Sequence, residues 1–509
     1  MWITALGFTM NACAQQNATA VKYAKLITAD DAKKHLSILA SDEFEGRETG
    51  KPGAEKAANY IANEFKKLGL EAPVKGSYFF DVPLVQNALK VSAFTVNEKP
   101  FVLGQDFMPN GNVPDKALTA TEVVFVGYGT ESELANTNIT GKVVLWINED
   151  KPEEGKKTNT SVRMTTERSK VFKNLQSKNP AIILATNSEL SPLLKRYGRN
   201  ITSPRLTIKD ESSAAAGVPV FHVSTALADE LVKSTGKSYS TLKAVASAVT
   251  AKTNFTASFA NDRTNVKAVD VVGYMPGTDL KNEVLVLSAH YDHIGLNPNG
   301  KDKVNNGADD DGSGTTGILE IARAFSQAKK DGHGPRRSIL FLGNVGEEKG
   351  LLGSEYYTDH PIYPLANTIA DLNIDMIGRV GEEYKDSPDS ANYVYPIGSA
   401  MLSSELHKIG EDANNTYTKL KLDYKYDDIN DPNRFYYRSD HYNFARYGVP
   451  IIFYFNGVHA DYHQPGDEVS KINFPLLAKR AQLVFYTGWE LANRATRPVV
   501  DAKAPAPAK

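Results

Sequence analysis

The chain has a single cysteine, no long apolar run and no excess of charge of one sign. Cys13 can form no internal disulfide, and a cysteine nucleophile or a thiolate zinc site is excluded from the rest of the chain. No apolar stretch approaches the roughly 20 residues that cross a bilayer, so no transmembrane segment is expected. Lysine plus arginine (58) nearly balances aspartate plus glutamate (60), which argues against capture of nucleic acid or anionic lipid.

The N-terminus has the composition of an export signal. Its first fourteen residues, MWITALGFTMNACA, contain a short apolar body, although a basic start is missing. Ala12-Cys13-Ala14 fits a small-residue cleavage site, and the alternative is that Cys13 carries the lipid anchor of a bacterial lipoprotein. We therefore expect an exported protein, which is periplasmic, an outer-membrane lipoprotein or secreted.

With 509 residues, the chain is expected to fold as two or three domains. A helical pattern runs from Asp30 to Leu70, in which Gly69, directly after Leu68, is the stop signal. Short β-branched runs between polar connections predict a small β-rich domain inserted at 121–231. The surrounding domain would then comprise 30–120 and 255–495, and the Ala/Pro/Lys-rich end of the chain, 496–509, is expected to be a disordered tail.

Continuous apolar runs in the second half of the chain predict buried strands. They are EVLVLSAH (283–290), SILFLGNV (338–345), TIADLNIDMI (368–377) and VPIIFYF (449–455). Strands that are apolar on both faces belong to parallel or mixed sheets covered by helices, and a helical stretch separates the first two runs. The predicted fold class is α/β, with a mixed, mostly parallel sheet flanked by helices and an inserted β-rich domain.

Residues of metal-ligand type follow these strands. They are His290, Asp310, Glu348, Asp375 and His463, with Glu347 directly before Glu348. In open α/β sheets ligands bind outside the carboxyl ends of the strands, so these side chains are expected at one rim. Each taken singly has an ordinary structural explanation, but an acid such as Asp375 inside an apolar run is costly unless it is paired or bound to metal. Two imidazoles and three carboxylates suit a pair of zinc ions if one carboxylate bridges them.

Three neighbouring patterns are weaker. His293, three residues after His290, could be a sixth ligand. Ser439-Asp440-His441 has the residue types of a serine hydrolase, but adjacent positions cannot form that triad. The aromatic cluster 435–437 could line a substrate pocket or simply pack.

With these motifs the chain resembles the co-catalytic di-zinc aminopeptidases, whose fold relatives include glutamate carboxypeptidase, glutaminyl cyclase and the transferrin receptor ectodomain. The resemblance covers roughly 30–490 and includes SDEFEGRETGKPG (41–53) and RSDHYNFARYGVP (438–450). The insert at 121–231 looks like the protease-associated domain of some members. The resemblance implies two zinc ions per chain, with Asp310 bridging, His290 and Asp375 completing one centre, and Glu348 and His463 the other.

The resemblance also implies roles for three further residues. Glu347 would be the general base, Asp292 would orient His290, and Tyr462 would hydrogen-bond the developing oxyanion. The expected activity is that of an aminopeptidase acting on peptides with a free N-terminus, because the negative rim attracts an α-ammonium group. The alternatives are a carboxypeptidase for acidic dipeptides and a catalytically inactive, receptor-like binding protein.

Overall fold

The computed structural model describes residues 16–152, 158–209 and 217–502. The predicted signal segment at 1–14, with Cys13, lies outside the described residues, as do the last seven residues of the predicted tail. None of the described helices combines the length and the apolar composition that crossing a membrane requires.

Within the described residues, α-helices and β-strands alternate along most of the chain. The helices are α1 (Ala18–Ala24), α2 (Ala29–Leu39), α3 (Pro52–Leu68), α4 (Glu131–Leu134), α5 (Thr166–Ser177), α6 (Leu190–Thr202), α7 (Thr225–Val232), α8 (Tyr239–Val245), α9 (Gly314–Lys330), α10 (Leu352–Asp359), α11 (Ser404–Ala413), α12 (His441–Ala445) and α13 (Phe474–Asn493). The strands are β1 (Phe79–Val96), β2 (Lys99–Pro100), β3 (Phe107–Pro109), β4 (Lys116–Phe125), β5 (Val143–Ile147), β6 (Ile182–Thr186), β7 (Arg205–Ile208), β8 (Val220–Val223), β9 (Val249–Met275), β10 (Leu280–His290), β11 (Arg337–Asn344), β12 (Thr368–Ile374), β13 (Tyr393–Ile397), β14 (Lys421–Leu422) and β15 (Ile451–Phe455).

The chain forms two compact units. The larger unit comprises Met1–Leu84 and Val266–Lys509, and the inserted unit comprises Val85–Asn265. The inserted unit is therefore wider than the expected 121–231. Its extra residues are paired with its other strands: β3 pairs with β8, and β4 pairs with the first half of β9, so these flanking strands cannot be separated from the β-branched runs between them.

A mixed, mostly parallel sheet organises the larger unit. Its strand order is β14-β13-β15-β12-β10-β11-β9. The central pairs β10–β11, β10–β12 and β12–β15 are parallel, whereas β9 and β13 join antiparallel. Every residue of β11, β12 and β15 is buried, as expected for apolar strands covered on both faces. Helices α9 and α13 pack on β10 and β11, and α12 packs on β12 and β15.

The helical pattern of the N-terminal region is divided into α2 and α3. Between them a 3₁₀ turn, Asp42–Arg47, carries three residues with positive φ, Glu45 (52°), Gly46 (65°) and Arg47 (51°), which a continuous helix cannot accommodate. The predicted stop is present, since Gly69 ends α3 with φ 80°.

The last described residues lie against the larger unit. The backbone N–H of Val499 donates to Glu405, and Asp501 accepts a hydrogen bond from the backbone N–H of Ser404. The Arg497 guanidinium donates to the carbonyl of Ala366.

Candidate metal centre

The predicted site residues meet where three strands of the larger unit end. His290 is the last residue of β10, Asp375 follows β12 directly, and Glu347 and Glu348 begin a short 3₁₀ turn after β11. The register pairs His290 with Asn344, the last residue of β11, so the strand ends are level. The sheet itself thus delivers four of the candidate side chains to one rim.

Asp310 and His463 reach the same rim from loops. Asp310 lies in the π-helical turn Ala308–Ser313 that precedes α9, and its backbone N–H donates to an Asp467 oxygen at 3.0 Å. His463 lies after β15 and has φ 55°, an unusual value for a residue other than glycine.

Two groups of donor atoms share Asp310. Oδ1 of Asp310 lies 3.3 Å from Nε2 of His290, which is 3.6 Å from Oδ1 of Asp375. Oδ2 of Asp310 lies 3.0 Å from Nε2 of His463, which is 3.1 Å from Oε2 of Glu348. The two oxygens of one carboxylate therefore face different groups, each of which contains an imidazole and a second carboxylate.

The donor atoms of these groups are better placed to bind a metal ion than to hydrogen-bond with one another. His290 Nε2, Asp310 Oδ2 and Glu348 Oε1 are buried, and none of them makes a hydrogen bond with any described residue. Leaving such a group without a partner costs about 1–3 kcal/mol. A divalent cation would satisfy all three, and imidazole nitrogens with carboxylate oxygens are donors that zinc accepts.

Asp292 connects His290 to Glu347. Its carbonyl oxygen lies 3.0 Å from Nδ1 of His290, and its Oδ1 accepts the backbone N–H of Glu347 at 3.2 Å. The His290 ring is thus held from behind, which leaves Nε2 facing the site. Glu347 belongs to neither donor group, although its Oε2 is 3.9 Å from Nε2 of His290.

The crowding of acids at the rim shifts several pKa values. Burial raises the pKa of Glu347 well above its usual range, with His290 opposing this and Asp375 adding to it. For Asp310 burial acts in the same direction, but contacts with His290 and His463 outweigh it and hold the pKa well below its usual range. Burial opposes the charged form of His463, yet Asp310 and Glu348 raise its pKa to about 10. The site therefore attracts positive charge.

An apolar wall borders the two groups. It is formed by Met376, Phe435, Phe453, Phe455 and Val458, with Arg438 and Tyr462 beside them. The Tyr462 ring stacks on His463 with centroids 3.9 Å apart, and its hydroxyl accepts a 3.4 Å hydrogen bond from Arg438. Both roles considered from the sequence occur in the aromatic cluster: Phe435 lines this wall and also packs in the same buried core as Tyr436.

The Ser439–His441 segment has other partners. His441 Nε2 lies 2.8 Å from the carbonyl oxygen of Tyr436, and Oγ of Ser439 accepts a 2.9 Å hydrogen bond from Asn373. These contacts agree with the interpretation that the segment is not a serine hydrolase triad.

Sequence reasoning missed a set of supporting residues at 46–49, which we call the anchoring segment. The fully buried Arg47 guanidinium donates to the carbonyls of Tyr291 (2.7 Å), Asn306 (2.6 Å) and Gly307 (2.8 Å), and so ties the loop after β10 to the loop before Asp310. Thr49 donates to Oδ2 of Asp292 at 2.6 Å. The only sequence signal for these roles is that both residues fall within the EGRETG part of the family motif.

Comparison with known proteins finds a family match for the part of the chain that carries the site. Residues 270–488 match the model of peptidase family M28. Aminopeptidase YwaD of Bacillus subtilis (strain 168) is 28% identical over 248 residues, which are 46% of this chain and 47% of the relative. A probable leucine aminopeptidase of Trichophyton verrucosum (strain HKI 0517) is 31% identical over 224 residues, 43% of this chain and 56% of the relative. The chain thus spans about half the length of the curated relatives it matches.

A solved structure extends the likeness to the fold. The aminopeptidase from Aneurinibacillus sp. strain AM-1 has a TM-score of 0.55 at 19% sequence identity, with 96% of this chain and 100% of that chain covered. The α/β class with a mixed, mostly parallel sheet flanked by helices, predicted from the apolar runs, is confirmed. The match of residues 270–488 to the model of peptidase family M28 likewise agrees with the resemblance read from the motifs.

Proposed function

We propose that this protein is a zinc-dependent aminopeptidase that removes residues from the N-terminus of peptides. The observation that carries the proposal is the position of Asp310, whose two carboxylate oxygens face two separate imidazole–carboxylate groups. A shared carboxylate of this kind suits a pair of divalent ions. The names of the relatives, aminopeptidase and probable leucine aminopeptidase, support the same reaction class.

Two zinc ions per chain would be held by five residues. His290 and Asp375 would hold one, Glu348 and His463 the other, and Asp310 both. When bound, zinc lowers the pKa of water and polarises a substrate carbonyl.

The residues of the chain supply the remaining chemistry. Glu347, beside both donor groups but in neither, would take the proton of the attacking water and return it to the leaving amine. Tyr462 would donate a hydrogen bond to the oxyanion, since its hydroxyl lies on the wall of the same site. Asp292 would hold His290 in the tautomer whose Nε2 faces the site.

The residues around the metal centre also favour binding of the N-terminal end of a peptide substrate. Carboxylates in a low-dielectric cleft attract an α-ammonium group strongly, and the site has four of them within 3.9 Å of an imidazole nitrogen: Asp310, Glu347, Glu348 and Asp375. The apolar wall around Phe435 and Phe455 favours an apolar first residue.

The test compares free and N-acetylated forms of one peptide with an apolar first residue. We expect the free peptide to lose residues one at a time from its N-terminus. The acetylated form should be cut at least ~100-fold more slowly, equivalent to about 2.7 kcal/mol of transition-state binding. Mass spectrometry of the products gives both the rate and the direction.

Other outcomes would redirect the proposal. Products shortened from the C-terminus would indicate a carboxypeptidase. Zinc-loaded protein that cleaves neither peptide would indicate a binding protein that has kept its metal centre.

A further inference from the structure

His293 lies in the loop after β10, three residues beyond His290, and has no part in the five-residue set. Its ring is fully buried at the second donor group. Nδ1 of His293 is 2.8 Å from Oε1 of Glu348 and 3.9 Å from Oδ2 of Asp310. His293, Asp310 and Glu348 together form a group of atoms close enough to hold one ion.

The 2.8 Å contact is not a hydrogen bond. Although the two atoms are close enough, neither Nδ1 of His293 nor Oε1 of Glu348 makes a hydrogen bond with any described residue. The same holds for His290 Nε2 and Asp310 Oδ2 in the donor groups described above. Donor atoms that are buried, close and misaligned for bonding to each other are expected where they converge on a shared cation.

The distances from each imidazole to Asp310 and Glu348 are compatible with binding to one ion. Two ligands bound to zinc at about 2.0–2.2 Å in tetrahedral geometry lie roughly 3.3–3.5 Å apart. The observed separations are 2.8 and 3.9 Å for His293 and 3.0 and 3.1 Å for His463. The centroids of the two imidazole rings lie 5.9 Å apart, and the ring planes are inclined at 67°.

The backbone fixes the His293 ring in this place. Its N–H donates to the carbonyl of Arg47 at 3.2 Å. Gly307 packs against the ring so closely that a Cβ there would come within 2.5 Å of ring atoms. Because Gly307 also has φ 56°, the position favours glycine on both grounds. The His293 ring is thus held in place by packing, and neither ring nitrogen makes a hydrogen bond with a described residue.

We propose that His293 is the fourth protein ligand of the metal position formed by Asp310, Glu348 and His463. The inference rests on the proposed function only in that it takes the metal to be zinc. Four protein donors are typical of closed zinc sites, and three of sites that keep a position for water or substrate. The position at His290, Asp310 and Asp375, next to Glu347, is then the one open to substrate. The position with His293 binds its ion more tightly.

The test counts imidazole ligands by zinc X-ray absorption on the fully loaded protein. We expect three imidazoles shared by two zinc ions in the wild type, and two in the His293→Asn variant. The exposed His360 provides a matched control, and His360→Asn should keep all three. A chelator-competition titration should show that His293→Asn lowers the affinity for the more tightly bound zinc. The loss should exceed the roughly 10–100-fold that follows when a residue hydrogen-bonded to a ligand, rather than a ligand itself, is replaced.

Two imidazoles in the wild-type spectrum would overturn the inference, whether or not the variant folds. So would a His293→Asn variant that holds its tighter zinc as strongly as the His360→Asn control. Failure of the proposed function would give a different result. A protein with three imidazoles on zinc but no peptide hydrolysis would support His293 as a ligand and contradict the aminopeptidase activity. A protein that hydrolyses peptides but has only two imidazoles on zinc would support the aminopeptidase activity and overturn the His293 ligand.

Discussion

At the scale of single residues, adjacent positions in one turn differ in what they contact. Glu348 directs both carboxylate oxygens at imidazoles, at 2.8 and 3.1 Å. Glu347 approaches only His290, at 3.9 Å, and its backbone N–H is held by Asp292. Consecutive residues of a 3₁₀ turn point in different directions, so one can serve the metal while the other remains available for proton transfer.

Replacing Glu347 should separate turnover from metal binding. The Glu347→Gln substitution keeps the size of the side chain but removes its ability to accept a proton. We expect the rate to fall by about 10²–10⁴-fold while the zinc content stays that of the wild type. Peptide hydrolysis and metal analysis on the same sample give both quantities.

The exposed Glu382 allows the same chemical change away from the site, and Glu382→Gln should leave both quantities unaltered. Retention of more than about a tenth of the wild-type rate by Glu347→Gln would remove Glu347 from the role of base.

At the scale of elements, the anchoring segment links loops that lie 244 to 301 residues further along the chain. Arg47 joins the loops after β10 and before Asp310, and Lys349, which follows Glu348 directly, forms a 3.0 Å ion pair with Glu48. Thr49 completes the set through Asp292. Three consecutive side chains therefore reach three different parts of the donor set.

Thr49 offers a nearly isosteric test of this support. In Thr49→Val the buried Asp292 oxygen loses its hydroxyl donor, and the orientation of His290 is less restrained. Partners of this kind typically contribute 10–100-fold to metal affinity, so we expect zinc affinity to fall by roughly that amount. The free energy of unfolding should fall by about 1–3 kcal/mol.

Thr49→Ser keeps the hydroxyl and is the matched control, expected to retain most of the affinity. Chelator competition measures the affinity, and denaturant unfolding measures the stability. A Thr49→Val protein that is less stable but binds zinc as the wild type does would reduce Thr49 to a structural residue.

The elements also show which parts of the site a sequence can predict. Strands apolar on both faces can be recognised by composition, and an acid or histidine at their ends is conspicuous, which is why residues such as His290 and Asp375 could be selected. Arg47 could not be assigned a role in this way, because its partners are backbone carbonyls whose positions depend on the completed fold. His293 could be noticed, but its distance to Glu348 depends on how the loop after β10 is held.

At the scale of the whole molecule, the bounds of the inserted unit were the least predictable feature. The chain enters and leaves it within β1 and β9, since the division falls between Leu84 and Val85 and between Asn265 and Val266. A boundary that falls inside a long strand is not marked in the sequence by a turn or by a change of composition. The change of texture at 121–231 marks only the part of the unit where β-branched strands are densest.

The final prediction concerns how zinc affects the two units. All the proposed donor atoms belong to the larger unit, where removal of zinc would leave buried carboxylates such as Asp310, Glu348 and Asp375 close together without a cation. A ligand that binds only the folded state at 100 times its Kd stabilises that state by about 2.7 kcal/mol. Chelation should therefore accelerate amide hydrogen exchange in the strands that carry the site, β10 and β12, and in the π-helical turn before α9.

Exchange in β5 and β6 of the inserted unit serves as the internal control and should not change, because none of the proposed donors comes from that unit. Mass spectrometry of peptic fragments, with and without chelator, measures both regions in one sample. Readdition of zinc should restore the slow exchange, which separates metal loss from irreversible damage. Faster exchange of equal size in both units would mean that zinc stabilises the chain as one cooperative structure, and the expectation that zinc stabilises the larger unit alone would have to be abandoned.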